Sequence, residues 1–281
     1  MRARAYAKVN LGLRVFPRDA NGFHPLRGLF QTIDWHDNVS VEDAEEDRVK
    51  VPGGGAPEDE TNLAWRAVVA ARAAGTGTRP VRVVVEKQIP SPAGLGGGSA
   101  DAAAALNLAG RRFAVSFDDI RRIAVDLGSD VPFAVVGGTA IVTGRGEFIS
   151  PQPDLAGFAL AIVVPPIDLG TAAVYRTWDE LDGPSGPEIG ASHLPPALRE
   201  YAPLANDLYP AAVAVDPAID EWRAELAQRW GVPVVMTGSG AALFAYFPTR
   251  EEAEGAVSVA PADARAAKAV EPINRGWELL E

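Results

Sequence analysis

The sequence predicts an α+β protein made of two domains. Stretches with strand and helix patterns occur in both halves of the chain, without the strict strand-helix alternation of a parallel sheet. The chain has 281 residues, more than the usual domain size of about 100 to 150 residues. A turn-rich stretch around Asp154 separates two predicted strands. We therefore predict one domain over 1–155 and a second over 156–281.

The first part of the chain begins with two strand patterns. Apolar and polar residues alternate over 3–15 with the period of a half-buried strand, and an Asn21-Gly22 turn leads into an apolar strand over 26–35. The patterns that follow predict strands at 38–44 and 79–90, a loop at 51–60, helices at 62–74, 99–111 and 116–128, and a short helix within 129–138. Ser116 is the predicted cap of the helix over 116–128.

The remainder of the chain continues the mixture of elements. The patterns predict strands at 138–148 and 158–164, a helix at 171–180, a loop at 182–196, helices at 205–215 and 217–230, strands at 232–237 and 242–247, a helix at 249–260 and a strand at 267–273. We find no internal repeat and no coiled-coil pattern. This order supports two α+β units.

Composition indicates an ordinary globular protein, with 47% hydrophobic and 22% charged residues. The chain contains no cysteine, which excludes disulfides, thiolate metal sites and a cysteine nucleophile and agrees with a reducing compartment. No signal-peptide core follows the first arginines, and the longest apolar run, at 158–167, is about half the roughly 20 residues of a membrane span. We expect a cytoplasmic protein with no membrane segment.

The formal net charge of −11 restricts the possible partners. A strongly negative chain repels nucleic acids and anionic membranes on average, so we expect neither as a partner. A small anionic molecule can still bind, provided that the sequence supplies local positive potential at its site.

A cluster of four glycines, Gly94, Gly96, Gly97 and Gly98, stands directly before an alanine-rich segment. A glycine turn between a strand and a helix N-terminus can present backbone N–H groups and the positive helix end to one anion. Ser99 would either cap that helix or offer its hydroxyl to a phosphate. The stretch lacks the Gly-Lys-Ser/Thr of a Walker motif, and Ser99 replaces the last glycine of a dinucleotide fingerprint. A flexible turn before an ordinary helix remains the alternative.

Three polar residues elsewhere are candidates for a ligand site. Lys8 and Asn10 project from the same face of the first strand, about 7 Å apart, where they either contact a ligand or form a solvated face. Asp130 lies in a Gly-Ser-Asp-x-Pro turn. Its side chain, or that of Ser129, could also simply cap the short helix that has Pro132 in its first turn.

Two further glycine turns stand at strand ends, where such turns often line ligand clefts. They are TGRGE at 143–147 and MTGSGAALF at 236–244. The three histidines are too scattered to form a zinc site, and we predict no metal site built from protein side chains.

Taken together, three of these motifs resemble those of the GHMP small-molecule kinases. They are AKVNLGL at 7–13, PSPAGLGGGSADAA at 90–103 and MTGSGAALF at 236–244, and their order and spacing cover almost the whole chain. The resemblance implies the two-domain GHMP kinase fold. In that fold an N-terminal ribosomal-protein-like α+β domain and a C-terminal ferredoxin-like α+β domain enclose the active site between them.

Four more stretches narrow the resemblance within the superfamily. They are NGFHPLRGLFQTID at 21–34, LGSDVPF at 127–133, TGRGE, and AND at 205–207. They are similar to the members that phosphorylate the 2-hydroxyl of 4-diphosphocytidyl-2-C-methyl-D-erythritol in the non-mevalonate route to isoprenoid precursors. The resemblance implies ATP as co-substrate, Mg²⁺ carried with ATP, and a protein that is a monomer or a homodimer.

The same resemblance implies roles for individual residues. Asp130 would be the general base for the substrate hydroxyl, and Lys8 would polarise that hydroxyl and keep Asp130 ionised. The ATP phosphates would lie on Gly94, Leu95, Gly96, Gly97, Gly98 and Ser99, with adenosine near Asn62, Leu63 and Lys87. The substrate would contact Asn10 at its methylerythritol, Phe23 and Tyr175 on the two faces of cytosine, His24 by a hydrogen bond to cytosine, and Gly238 and Ser239 beside the diphosphate.

Three residues depart from the family pattern: Pro92 replaces a glycine, Ala100 a second serine, and Phe23 the commoner tyrosine. The serine lost at 100 puts a phosphate contact there in doubt. Three alternatives stay open: a GHMP kinase for mevalonate-type, homoserine or sugar substrates, a catalytically silent relative that acts as a binding module, and a nucleic-acid binder of similar fold. The pair Phe23 and His24 disfavours the first, the presence of Lys8 and Asp130 the second, and the net charge of −11 the third.

Overall fold

The computed structural model describes residues 1–280 and contains two β-sheets with helices packed against them. The strands are β1 (Arg2–Val15), β2 (Leu26–Asp43), β3 (Arg48–Lys50), β4 (Val81–Glu86), β5 (Thr139–Gly144), β6 (Phe148–Pro151), β7 (Ala159–Val164), β8 (Val235–Met236), β9 (Leu243–Phe247), β10 (Ala266–Val270) and β11 (Trp277–Leu280). The helices are α1 (Leu63–Ala74), α2 (Gly97–Phe113), α3 (Phe117–Leu127), α4 (Val131–Val136), α5 (Thr171–Glu180), α6 (Tyr209–Val215), α7 (Ala218–Trp230) and α8 (Arg250–Ser258), with two 3₁₀ turns at Ala191–His193 and Pro196–Tyr201.

The larger sheet has seven strands and the smaller has four. The larger sheet follows the order β11-β1-β2-β4-β3, and β5 and β6 extend it from the first half of β2. All of its pairs are antiparallel except β3 with β4. The smaller sheet has the antiparallel order β10-β7-β9-β8. The predicted α+β class is confirmed.

Local sequence signals account for several element ends. Asn62 and Ser116 cap α1 and α3, because their side-chain oxygens accept backbone N–H groups of the first turn. Thr249 caps α8 in the same way. The predicted helix over 171–180 has the observed bounds of α5. The starts of α1, α3 and α8 are therefore set by their own N-cap residues.

Long-range pairing changes other elements. The predicted strands at 26–35 and 38–44 are one continuous strand, β2, because β1 pairs with it along most of its length. The short strand β11 is not predicted by the sequence pattern; it pairs with β1, so the end of the described chain returns to the larger sheet. The division near residue 155 stays a prediction.

The first strand is buried on both sides, which differs from the half-buried strand that we predicted. Helix α2 packs on one side of the larger sheet, where its alanines and Leu106 join Val39 and Val41 in one core cluster. On the other side, Val9 and Leu11 pack with Ile162 of the smaller sheet. Because both faces are covered in the middle of β1, Lys8 and Asn10 are enclosed rather than solvated.

No helix in the described part of the chain, residues 1–280, is both long enough and apolar enough to cross a membrane. The longest apolar run in the sequence forms β7 and its flanks.

Candidate active site between the two sheets

A cavity of about 610 Å³ lies where the glycine turns of the two sheets meet. Fifteen of the seventeen residues proposed for a site line it: Lys8, Asn10, Phe23, His24, Leu63, Gly94, Leu95, Gly96, Gly97, Gly98, Ser99, Asp130, Tyr175, Gly238 and Ser239. Asn62 and Lys87 do not line it. Residues far apart in the sequence thus line one cavity.

The glycine loop, residues 92–99, ends in the N-terminus of α2. Gly96 is the N-cap, with a left-handed backbone at φ 68°, and it accepts the Ala100 N–H at 2.9 Å. Ser99 therefore lies inside the first turn and does not cap the helix. The N–H groups of Gly97, Gly98 and Ser99 precede the first intrahelical bond and have no backbone acceptor within residues 1–280. We call these three N–H groups the anion seat.

Lys8 lies directly beside the anion seat. Its side chain is 7% exposed, and a Cβ atom added at Gly96 would be 3.0 Å from Lys8 Cγ. Lys8 Nζ donates to Asn10 Oδ1 at 2.6 Å and to the Gly94 carbonyl at 3.2 Å, and it lies 3.3 Å from Asp130 Oδ2. These acceptors hold the ammonium group in one place between the loop and the carboxylate.

Asp130 stands at the N-cap of α4, but no side chain makes a capping bond there. The expectation that Asp130 or Ser129 serves only as a cap is therefore wrong for the described chain. The carboxylate points to Lys8 instead, since a buried ammonium group needs a counter-charge. The Asp130 side chain is 32% exposed, so one part of it faces the cavity.

An aromatic pocket forms the other end of the cavity. The His24 and Tyr175 rings are tilted at 38° with centroids 5.1 Å apart, and Trp178 meets His24 edge-on at 5.5 Å. His24 Nε2 lies 2.7 Å from Asp179 Oδ1. Burial, together with the nearby charge of Asp130, raises the pKa of Tyr175 to about 12, so its phenol is neutral at pH 7.

Phe23 is 53% exposed and carries a cation on one face. The Arg145 guanidinium carbon lies 4.0 Å from its ring centroid, within the range of a cation-π contact. Asp19 orients both partners, because its carboxylate accepts the Phe23 N–H at 3.0 Å and pairs with Arg145 at 3.3 Å. The bonds that Asp19 makes to Phe23 and Arg145 hold the Phe23 ring at the rim of the cavity.

The third glycine motif closes the cavity from the smaller sheet. Thr237 Oγ1 accepts the Asn10 N–H at 2.8 Å, and Ser239 Oγ lies 2.9 Å from Thr171 Oγ1. Asn206 Nδ2 donates to the carbonyls of Met236 and Gly238, both at 2.8 Å. The sequence assigns no role to Asn206 of the AND motif. In the structure its side chain fixes the turn that borders the cavity.

Other residues that shape the site carry no distinct local signal. Asp207 joins the end of β1 to the segment before α6, because it accepts the Val15 N–H and pairs with Arg14, both at 3.1 Å. Arg18 and Arg145 line the cavity as cations. With Lys8, they supply the local positive potential that an anionic ligand requires.

The two proposed residues outside the cavity have their side chains occupied within the protein. Asn62 Oδ1 accepts the N–H groups of Ala64 and Trp65, and its Nδ2 donates to the Pro57 carbonyl at 2.7 Å. The Lys87 ammonium group is buried against two carboxylates. A direct side-chain contact from either to adenosine would require these bonds to break.

Within residues 1–280, we find no group of three or more His, Asp or Glu side chains placed to hold a metal ion. Asp130 is the carboxylate that lines the cavity, and it is paired with Lys8. Mg²⁺ typically keeps several waters and binds substrate phosphates with one or two carboxylates. The donor set here does not form a metal site by itself.

Comparison with known proteins identifies relatives of this arrangement. A family model described as the GHMP kinases N terminal domain matches residues 62–138. A 4-diphosphocytidyl-2-C-methyl-D-erythritol kinase of Kineococcus radiotolerans is 40% identical over 256 residues, covering 85% of this chain and 78% of that protein. One from Moorella thermoacetica is 38% identical over 251 residues, covering 85% and 87%.

A solved structure supports the same relationship. The crystal structure of a 4-(cytidine 5'-diphospho)-2C-methyl-D-erythritol kinase has a TM-score of 0.80 and 32% identity to this chain, with 96% of this chain and 99% of that chain covered. The predicted two-domain fold of the GHMP kinases is confirmed. The chain therefore belongs to the 4-diphosphocytidyl-2-C-methyl-D-erythritol kinase family of the GHMP kinases, and it is an ATP-dependent small-molecule kinase.

Proposed function

We propose that this protein transfers the γ-phosphoryl group of ATP to the 2-hydroxyl of 4-diphosphocytidyl-2-C-methyl-D-erythritol. The observation that carries the proposal is the 3.3 Å pair of Lys8 and Asp130 beside the anion seat, in a cavity whose far end is aromatic. A phosphoryl donor, an acceptor alcohol and a nucleobase can each be matched to one part of that cavity.

The anion seat is the proposed position of the ATP phosphates. Three free N–H groups at a helix N-terminus, together with the helix dipole, favour a polyanion. The residues of this part would be Gly94, Leu95, Gly96, Gly97, Gly98 and Ser99. Leu63 lines the same end of the cavity, so we assign adenosine to that side, with Asn62 and Lys87 behind it.

Asp130 is the proposed general base and Lys8 its partner. The base accepts the proton of the 2-hydroxyl, the oxygen forms a bond to the γ-phosphorus, and the bond from that phosphorus to the bridging oxygen of ADP breaks. Phosphoryl transfer depends mainly on positioning and on stabilisation of charge, which Lys8 and the anion seat provide. Asn10, which holds the Lys8 ammonium, would face the methylerythritol.

Mg²⁺ would arrive with ATP and be held chiefly by its phosphates and by water, because the described side chains form no metal cluster. When bound, it neutralises phosphate charge. The residues of this chain supply the base, the ammonium group and the backbone donors.

The aromatic pocket is the proposed site of cytosine. Phe23 and Tyr175 offer ring faces, and a planar pyrimidine favours such stacking. Asp179 favours the His24 tautomer with its proton on Nε2, which leaves Nδ1 as an acceptor for the exocyclic amino group of cytosine. Gly238 and Ser239 would border the diphosphate between the two ends.

Replacement of Asp179 by Asn should test this recognition without touching the phosphoryl-transfer centre. Burial works against charge on Asp179, but hydrogen bonds from His24 and Arg18 outweigh it and hold the pKa of that carboxyl below its usual value. An amide weakens the orientation of His24, so we expect the KM for the cytidylylated substrate to rise about tenfold while kcat changes by less than about threefold. The control is Glu180→Asn, an exposed acid next along α5. An unchanged KM in Asp179→Asn would contradict the assigned role of His24.

A comparison of acceptor alcohols, each tested alone, examines the function directly. The protein is incubated with Mg²⁺, γ-labelled ATP and, separately, 4-diphosphocytidyl-2-C-methyl-D-erythritol, mevalonate and homoserine. We expect label on the first alone, because the others offer nothing to the aromatic pocket. Label on mevalonate or homoserine would move the substrate assignment within the superfamily, and label on none would overturn the proposal.

We also propose that the chain divides near residue 155, and that the protein works in the cytoplasm as a monomer or homodimer. Light scattering during size-exclusion chromatography measures the oligomeric state. Limited proteolysis measures the division, with cleavage expected in the exposed turn at 151–157.

A further inference from the structure

Three ionisable side chains lie buried beneath the glycine loop, outside the reacting centre. Lys87 Nζ donates to Asp37 Oδ2 at 2.5 Å and to Asp101 Oδ2 at 2.7 Å. The side chains of Lys87, Asp37 and Asp101 are 8%, 0% and 4% exposed. We call these three residues the loop-base triad.

The triad is close to the anion seat. A Cβ atom added at Gly97 would lie 3.2 Å from Lys87 Nζ, so the ammonium group packs directly against the first residue of the seat. Asp101 belongs to α2 itself, one turn after Gly97. Any charge on the triad is therefore buried and within one helical turn of the anion seat.

The charges of the triad do not balance when both carboxyls are ionised. One ammonium and two carboxylates leave a net charge of −1 in a buried site. Burial of an uncompensated charge is unfavourable, and this charge would also repel an anion bound at the anion seat. Neutrality requires one proton on one carboxyl. The hydrogen bonds indicate which one holds it.

Asp37 has the donors of an ionised carboxylate. Its Oδ1 accepts the backbone N–H groups of Gln88 and Ile89, and its Oδ2 accepts from Lys87. Asp101 accepts from Lys87 through Oδ2, but its buried Oδ1 has no hydrogen-bond partner within residues 1–280. Burial raises the pKa of Asp101 to about 8, with the charge of Asp37 in the same direction and that of Lys87 opposing both.

The other elements packed on α2 add few charges near the triad. The faces of α1, α3, α4 and β11 that pack on α2 join it in an apolar cluster that includes Ala67, Ile123 and Val131. From β1, Lys8 contacts the loop at Gly96. From β2, His36 neighbours Asp37, and burial followed by the charges of Arg4 and Lys268 lowers the pKa of His36, so it is neutral above pH 7.

We propose that Asp101 is a positioning residue, that the anion seat binds ATP phosphates more tightly when Asp101 is protonated, and that a nucleotide entering the seat draws a proton onto Asp101. The inference rests on the proposed position of the ATP phosphates. The sign follows from electrostatics: a bound anion disfavours a second negative charge beneath it, so binding is tighter when Asp101 is neutral, and binding raises its proton occupancy.

Calorimetry at pH 8.5 measures this proton. ADP is titrated into the protein in buffers of different ionisation enthalpy, and the slope of binding enthalpy against buffer enthalpy counts the protons exchanged. If the charge weakens binding about tenfold, the expected uptake is about half a proton per ADP. ADP itself is fully ionised at this pH and contributes no proton.

Two variants complete the test. Asp101→Asn keeps the shape without the titration, so it should bind ADP with no proton uptake and with an affinity that stays constant between pH 7 and pH 9. Asp126→Asn, at an exposed residue of α3, should behave like the unaltered protein.

The outcomes separate this inference from the proposed function. Binding of ADP by the unaltered protein without proton uptake would overturn the inference and leave the proposed function intact. Absence of ADP binding at pH 7 would overturn the phosphate position itself. If Asp101→Asn does not fold, the proton count of the unaltered protein still decides.

Discussion

Replacement of Asp130 by Asn should lower kcat by about 10² to 10⁴-fold, the usual contribution of a general base. The amide has nearly the same shape but cannot accept the hydroxyl proton. The KM values for ATP and for the alcohol should change by only a few fold, because the anion seat and the aromatic pocket keep their residues. Steady-state kinetics with both substrates measure this split.

The protein should lose stability, because the buried Lys8 ammonium loses its counter-charge, but it should still fold. The Asp130 side chain is 32% exposed and makes no capping bond, and the Lys8 ammonium keeps Asn10 Oδ1 and the Gly94 carbonyl as acceptors. Thermal unfolding and ADP binding therefore serve as controls on the same preparation. A folded Asp130→Asn protein with nearly normal turnover would reject the base role, and the hydroxyl would then lose its proton to solvent or to phosphate.

The parts of the fold that could be predicted are those set by neighbouring residues. Asn62 and Ser116 cap their helices through bonds that span two or three residues, so the pattern alone gives the helix start. The glycine loop and α2 belong to the same class, because glycines and alanines differ strongly in helix propensity. The predicted start at Ser99 was two residues late, since a left-handed Gly96 can itself be the N-cap.

The parts that could not be predicted depend on distant residues. The alternation of β1 predicts one solvated face, but the glycine loop and the turn at Gly238 cover the residues of that face, and Lys8 and Asn10 are 6% and 2% exposed. No local sequence pattern predicts that distant residues will bury this face of β1. The strand β11 is likewise too short for a periodic signal, and its existence depends on the free edge of β1.

The same distinction applies to the candidate site. The strand predicted over 79–90 does not indicate that Asp37 and Asp101 surround the Lys87 ammonium group, because those two residues come from β2 and α2. The roles of Asn206 and Thr237 depend on tertiary hydrogen bonds to other turns. The family resemblance predicts most of the residues that line the cavity. It does not predict the tertiary hydrogen bonds that hold them in place, which only the structure shows.

Replacement of Gly94 by Ala should destabilise the protein and disrupt the site together. Gly94 has φ 76°, and an added Cβ would lie 2.4 Å from the Thr237 carbonyl oxygen and 3.2 Å from that of Gly240. The left-handed backbone costs roughly 1 to 2 kcal/mol in a residue with a Cβ, and overpacking typically adds about 1 to 3 kcal/mol. We expect a loss of about 2 to 5 kcal/mol in the free energy of unfolding, measured by urea denaturation.

Gly53→Ala separates the two causes of that loss. Gly53 also has a positive φ, 86°, but lies in an exposed loop with nothing within 4 Å of an added Cβ, so it should lose only the backbone part, roughly 1 to 2 kcal/mol. Gly94→Ala should also raise the KM for ATP, because relief of the clash moves the carbonyl that accepts from Lys8. Equal losses of stability in the two variants, with an unchanged KM, would mean that the glycine loop does not pack against the 236–242 turn, and the joined cavity would then lack its support.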